Sequence, residues 1–454
     1  MNLQTRVRST AMRIMTSDLL RSVRRGLPAL GRRLSGAPPR VHYFHQVDDP
    51  YSHLAVQKLG ELESRYRLAF SRHLVRGPAA AYQGSPDKFD AWAVRDARSV
   101  AGYYGVSLPE GTLRPEQDCV FAVCAQLAGL LDSERFVHRA QELGEALWRG
   151  EVIGTSTSSG AAAAAGRTAR QVLDEGDALL KRRGHYLGAM FYFEGEWYWG
   201  LDRLYHLERR LRESGFDTRP AAGPCVPRPT GISASGVEAA GVSLEYFPSL
   251  RSPYTAISYA RTMDLVDRSG VTLRLRPVMP MMMRGVPAPR AKQFYIIMDT
   301  KREAEAAGVP FGKVVDPFGD PVRRAFSLYP TLERLGKGRE YLGSYLSAAF
   351  AEGIDITLDA GLAQVVERIG VPWSNCAAAL GSAEYIAVVE ENLQALSSAG
   401  LWGVPSFRVS GGARDGTFQC WGQDRLWRVE TEIALRSGRT ETPETASNET
   451  PNAH

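Results

Sequence analysis

Ser252-Pro253-Tyr254 stands where an apolar run, VSLEYF, gives way to a helical pattern. Serine is a favoured N-cap and proline a favoured first helical residue, so the tripeptide reads first as an ordinary helix start. The same geometry suits a reactive anion. A helix N-terminus carries partial positive charge and unpaired N–H groups, and a hydroxyl placed there can donate a hydrogen bond to a thiolate. Both effects lower a thiol's pKa and leave it nucleophilic. The tripeptide holds no cysteine, so the thiol is expected to come from a bound cofactor.

Three further groups bear on the same chemistry. Gly403-Val404-Pro405 precedes a predicted strand, where X-Pro is either a plain turn or a cis peptide. In Trp421-Gly422-Gln423-Asp424-Arg425, Gln423 and Asp424 sit at another helix start. They could bind an α-amino and α-carboxyl pair; the plainer reading is an Asp cap with Arg425 on the surface. Lys292 precedes Tyr295, Asp299 and Arg302 on one helical face and could bind a terminal carboxylate, although a single lysine is usually just solvated. The Met-rich stretch Met279 to Pro289 reads as adaptable core or pocket wall, because methionine fills irregular gaps.

The elements that must position these residues occur twice. VHYFHQVDDPYSHLAVQKL near residue 41 and VSLEYFPSLRSPYTAISYARTM near residue 242 are each an apolar run, a polar turn, x-Pro-Tyr and a helical pattern. Each is followed by an echo, WGLDRL from Trp199 and WGQDRL from Trp421. A shared motif order predicts a duplicated domain. After Val242 the pattern runs strand, helix, strand (VTLRLRPV), then helices from Ala291 to Ser397, a hairpin around GGARDG and a last helix. Pattern alone establishes an α/β chain; by analogy the order is that of a thioredoxin fold with helices inserted in its middle. The expected organisation is a basic helical extension (1–39), a first domain (40–215), a Gly/Pro/Ala/Ser-rich linker (216–241), a second domain (242–437) and a disordered polar tail (438–454).

Composition sets the limits. The chain has 454 residues, 44% hydrophobic and 23% charged, with a net charge of +5, ordinary values for a globular protein of two or three domains. No apolar run approaches the ~20 residues of a membrane span, so stable membrane insertion is not expected. Nucleic acid is not expected as a partner either. In the first forty residues Arg6, Arg8, Arg13, Arg21, Arg24, Arg25, Arg32, Arg33 and Arg40 face only Asp18. Such a segment can be a transit peptide or an amphipathic helix on an anionic surface, but a charge run is most often the solvated face of a helix packed on the body. The five cysteines include no C-x-x-C and no zinc spacing, and Cys119 and Cys124 lie in an apolar stretch. A reduced, cytoplasmic protein is expected.

Ser-Pro-Tyr after a strand, then Lys292, Tyr295 and Asp299 at Lys-x-x-Tyr-x-x-x-Asp spacing, Gly-Val-Pro and Trp-Gly-x-Asp-Arg-Leu resemble the 2-hydroxychromene-2-carboxylate isomerases. The kappa-class glutathione transferases, also of the DsbA-like branch of the thioredoxin superfamily, are resembled equally. The resemblance spans 242 to 436 and is fainter in the first copy. It implies two tandem DsbA-like thioredoxin domains, each with a helical insertion, and glutathione as cofactor. Ser252 would face the glutathione sulfur, Val404 beside Pro405 would pair with the cysteinyl backbone, Gln423 and Asp424 would hold the γ-glutamyl end, and Lys292 would reach the glycyl carboxylate. The family reaction interconverts a ring-closed chromene and an open benzylidene-pyruvate, which implies an aromatic or conjugated electrophilic substrate.

The first copy has Asp49-Pro50-Tyr51 where the second has Ser252-Pro253-Tyr254. Aspartate caps a helix as well as serine does, but a carboxylate beside a thiolate raises its pKa. Gly188 and Ala189 stand opposite Val404 and Pro405, Leu201 replaces Gln423, and Lys88 is out of register with Lys292. A non-catalytic first domain is expected, serving as scaffold, lid or pseudo-dimer partner; a homodimer and an internal pseudo-dimer are both open. His42, His45 and His53 near Asp49 lack metal spacing, and no metal is expected. The alternatives are a DsbA-family thiol–disulfide oxidoreductase, disfavoured by the missing C-x-x-C, and a non-enzymatic thioredoxin-fold binding module.

Overall fold

The computed structural model describes residues 3–153 and 168–439. It contains two four-stranded sheets of the same strand order and sense. In the first half β1 (Arg40–His45) runs parallel to β2 (Ala69–Leu74) and antiparallel to β3 (Met190–Phe193), which pairs with β4 (Glu196–Trp199). In the second, β5 (Val242–Phe247) is parallel to β6 (Thr272–Leu275) and antiparallel to β7 (Ser406–Gly411), which pairs with β8 (Thr417–Trp421). A parallel pair needs a crossover, supplied by α3 (Pro50–Arg65) in the first half and by a helix we label α10 (Pro253–Ser269) in the second. The register repeats as well. Tyr43 sits opposite Phe191 and Tyr246 opposite Phe407, and each pair of rings is stacked, at 4.7 and 5.0 Å.

The remaining helices fill the middle of each half. In the first they are α4 (Ala80–Gln83), α5 (Pro86–Ala101), α6 (Gln117–Ala128), α7 (Arg135–Arg149) and α8 (Ala169–Arg182), closed by α9 (Leu204–Glu213). In the second they are α11 (Arg290–Ala306), α12 (Asp320–Arg334), α13 (Gly338–Ser347), α14 (Asp359–Glu367) and α15 (Tyr385–Ser398), closed by α16 (Leu426–Arg436). Cys119 and Cys124 are buried on α6. The basic extension forms α1 (Leu3–Met15) and α2 (Asp18–Ser35). The tail from 440 onward lies outside the described residues.

Each half has its own apolar core, and that of the first half reaches into the second through Phe247, Leu401, Trp402 and Val404. Trp92 of α5 packs on Trp402 and Trp421, at 5.7 and 4.9 Å between ring centroids. The Gly/Pro-rich segment 216–241 has no helix or ladder strand, yet it is not a loose tether. The N–H groups of Cys225 and Val226 donate to Glu208 at 2.6 and 2.8 Å, Ile232 N–H donates to Thr431 at 3.0 Å, and Asp217 takes Arg65. A chain that buries backbone without a ladder has to satisfy its N–H groups with side chains, and Glu208 and Thr431 do so.

Candidate functional site

Ser252 caps α10 in an extended conformation, φ −101° and ψ 116°. Its Oγ accepts from Thr255 N–H at 3.2 Å and donates to Val404 O at 3.4 Å. The second contact is at the outer limit of a hydrogen bond, so the hydroxyl can turn to another acceptor at small cost. Val404–Pro405 is cis and faces this helix start. Among the described residues the Val404 N–H donates to no backbone carbonyl. Tyr254 is fixed by its OH, which donates to Asp299 at 2.8 Å.

A cavity of about 970 Å³ opens in front of Ser252. Val404, Gln423, Asp424 and Lys292 line it, as do Met281 and Met282 of the Met-rich stretch. The first half contributes Asp49, Tyr51 and Gly188, and α1 contributes Met12 and Met15. Both helix starts therefore open onto one space, which the order of motifs along the chain does not disclose. No cysteine lines it. Burial pushes the thiols of Cys124 and Cys225 up to about 12 and raises those of Cys376 and Cys420 as well.

Each predicted residue has a definite setting. Lys292 Nζ donates to Tyr82 O of the first half at 2.7 Å, and burial lowers its pKa to about 8. Gln423 is buried; its amide nitrogen donates to Glu303 at 2.7 Å while its Oε1 has no partner. Asp424 Oδ2 accepts from Arg203 at 3.0 Å. Gly422, at φ +117°, is the residue this corner requires, because a Cβ there would lie 2.3 Å from Asp424 Oδ1. Pro405 accepts from Gly422 N–H through its carbonyl at 2.9 Å, as Ala189 does from Gly200 N–H at 2.8 Å.

Two residues that position the site were not expected to do so. The surface reading of Arg425 is corrected: it is 2% exposed and forks onto Asp96 and Asp202 of the first half, with four contacts of 2.7–2.9 Å. Arg203 of the first half crosses the other way, to Asp299 at 2.8 Å and Asp424 at 3.0 Å. Burial raises the Asp299 carboxyl, but Arg203 and Arg302 hold it below its usual value. The signal was present in the sequence, since Asp-Arg recurs in both Trp-Gly-x-Asp-Arg-Leu motifs. Its meaning was not, because each arginine's partners lie in the opposite half.

The first helix start is built differently. Asp49 accepts from Ser52 N–H at 2.9 Å and Ser52 Oγ at 2.8 Å, and burial pushes its carboxyl up to about 6. Ala189, where the second half has proline, keeps an N–H that donates to Ser52 Oγ at 2.8 Å. Asp202 takes Tyr104 OH at 2.8 Å in addition to Arg425, whereas Asp424 borders the cavity. His45 bonds Tyr43 at 2.9 Å and His42 bonds His73 at 3.0 Å, and burial lowers the pKa of His42 and His45 to about 3.

Residues 243–434 match the family model described as a DSBA-like thioredoxin domain. The second half of this chain is a DsbA-like thioredoxin domain. No curated protein matches the chain. Solved structures similar to it include a 2-hydroxychromene-2-carboxylate isomerase, at 20% identity and TM-score 0.35, covering 42% of this chain and 95% of that one. A probable DsbA oxidoreductase from Streptomyces coelicolor has 18% identity and TM-score 0.34, covering 44% and 92%. The cytosolic disulfide reductase DsbM from Pseudomonas aeruginosa, with GSH, has 18% identity and TM-score 0.32, covering 43% and 99%. The N-cap of α10 within the matched residues is Ser252.

Proposed function

We propose that the chain is a glutathione-dependent isomerase or transferase acting through its DsbA-like domain. The observation that carries this reading is Ser252 Oγ at the start of α10, on the wall of a cavity that has no cysteine. The first half is read as a non-catalytic duplicate that completes the site as an internal partner, as the crossed Arg203 and Arg425 contacts favour.

The residues on the cavity wall fit the tripeptide. Gln423 Oε1, buried without a partner, is an acceptor suited to an ammonium group, and Asp424 beside it supplies negative charge. The free Val404 N–H suits an extended backbone, and Lys292 suits a carboxylate. Bound glutathione would supply a thiolate nucleophile for an aromatic or conjugated electrophile. Ser252 donates a hydrogen bond to that anion, and the N-terminus of α10 adds its partial positive charge. Met281 and Met282 shape an apolar wall that excludes water from a flat substrate.

Glutathione titration by calorimetry tests this. The wild type is expected to bind saturably and Asp424→Ala at least ~10-fold more weakly, the cost of one charge-assisted hydrogen bond. Absence of saturable binding by the wild type sinks the reading. Insulin reduction is expected to be nil, and activity there would favour thiol–disulfide exchange instead.

Lys292 adds a pH signature. With its pKa near 8, its ammonium form is present below that pH and lost above it. Affinity for S-methylglutathione, which has no thiol to titrate, should therefore fall about tenfold between about pH 7 and about pH 9. Lys292→Met should bind more weakly and show a smaller fall, the remainder coming from the ligand's own α-ammonium; a fall of unchanged size removes Lys292 from the site.

A further inference from the structure

A surface helix normally turns its apolar stripe inward and its charges outward. Helix α2 does the reverse. Its body-facing side is arginine: Arg21 pairs with Glu305 of the second half, while Arg25 and Arg32 pair with Glu196 and Glu194 of the first, at 2.9 and 2.7 Å. Leu19, Val23, Leu27, Leu30 and Leu34 follow the i, i+4, i+8, i+11, i+15 spacing of one helical face and all point to solvent, with Leu19 77% and Leu34 80% exposed. No residue of α2 is buried.

Helix α1 continues the pattern. Met12 and Met15 face the cavity, and Val7 and Ile14, one heptad apart, face outward. Arg6 flanks that outward pair and Arg33 the end of the leucine row, while the Arg13 guanidinium leans toward Gly353 of the body. All three are exposed, and among the described residues none of them pairs with an acid. The exposed acid on these helices is Asp18, which is tied to Arg21 at 2.9 Å.

We infer that α1 and α2 form a peripheral docking face for an anionic lipid bilayer. An apolar stripe rimmed by arginines is the pattern of a helix lying in a membrane interface, its leucines among acyl chains and its guanidinium groups at headgroup phosphates. Charge favours lipid over a second copy, because two such faces would bring Arg6 and Arg33 of both copies together without acids between them. Docking in this way crosses no bilayer, in keeping with helices none of which, among the described residues, is long and apolar enough to span one. It brings the lipid surface to the rim of the cavity, since α1 contributes to both.

Co-sedimentation of the full chain with vesicles tests the face. Vesicles of phosphatidylcholine with phosphatidylserine are expected to pull the protein down, and vesicles of phosphatidylcholine alone to retain at least about tenfold less, with binding weakened by high salt. Leu27→Glu with Leu30→Glu should reduce binding at least about tenfold while leaving glutathione affinity unchanged, since both side chains are exposed and remote from the cavity lining. Arg6→Glu with Arg33→Glu should abolish the preference for anionic lipid. Equal binding to both vesicle types, or none to either, overturns the inference. So does a dimer in sedimentation velocity that the leucine substitutions dissolve while vesicle binding is absent.

Discussion

Replacing Ser252 with alanine should raise the pKa of a bound glutathione thiol by about one to two and lower kcat/KM about 10- to 100-fold, the worth of a hydrogen bond to an anion. The fold should register much less. Ser252 Oγ accepts only from Thr255 N–H as a cap, and losing such a cap costs about 1 kcal/mol. Thiolate absorbance of the bound glutathione against pH reads the first effect, and denaturant unfolding reads the second. Ser252→Thr should restore much of the activity, because it keeps the hydroxyl. Ser252→Asp copies the residue at position 49 and is the sharper test. It should cap α10 as well as serine does, leave stability nearly unchanged, and suppress the thiolate by placing a carboxylate beside it. An unshifted thiol titration in both Ser252→Ala and Ser252→Asp would remove Ser252 from the chemistry.

The second large effect concerns the crossed arginines. Arg425→Met leaves Asp96 and Asp202 buried without their counter-charge, and Arg203→Met strips Asp299 of one of its two arginines, leaving Arg302 alone at 2.6 Å. Breaking a buried pair from one side costs about 3–5 kcal/mol, a large share of a domain's stability, so both variants should show a strongly lowered unfolding midpoint. They should differ in function. Arg203 also holds Asp424, which borders the cavity, so Arg203→Met should weaken glutathione binding in the protein that remains folded. Arg425→Met acts on the opposite side of the interface and should spare it. The pH dependence follows from Asp299. In the wild type its carboxyl is held below the usual value, so it contributes stability at neutral pH that is lost as the pH falls through the folded pKa. Without Arg203, only Arg302 offsets the burial of the charged form, so the Asp299 carboxyl should titrate higher and the deficit of the variant should shrink as the solution is acidified. Equal midpoints for the wild type and both variants would show that the pairs carry no stability.

Much of this was legible in the residues. Strand, turn and helix at 41 and 242 follow from alternation, from Pro at the first helical position, and from Asp49 and Ser252 as caps. These are local rules that act within a few residues, and both helices begin where they require. The hairpin around GGARDG and the Met-rich wall are legible for the same reason. Other features depend on which surfaces meet. Lys292 reads as a solvated lysine until Tyr82 of the other half covers it. Arg425 reads as a surface residue until Asp96 and Asp202 close over it.

The sequence by itself therefore determined the α/β class, the repeated helix starts and the difference between Ser252 and Asp49, because capping and periodicity are short-range. Only the tertiary structure decided that both starts open onto one cavity, that the halves exchange Arg203 and Arg425, and that α2 turns its leucines outward. Those outcomes rest on long-range charge pairing and burial between segments far apart in the chain. A buried arginine needs carboxylates, and where they lie is a property of the folded surface rather than of the neighbouring residues.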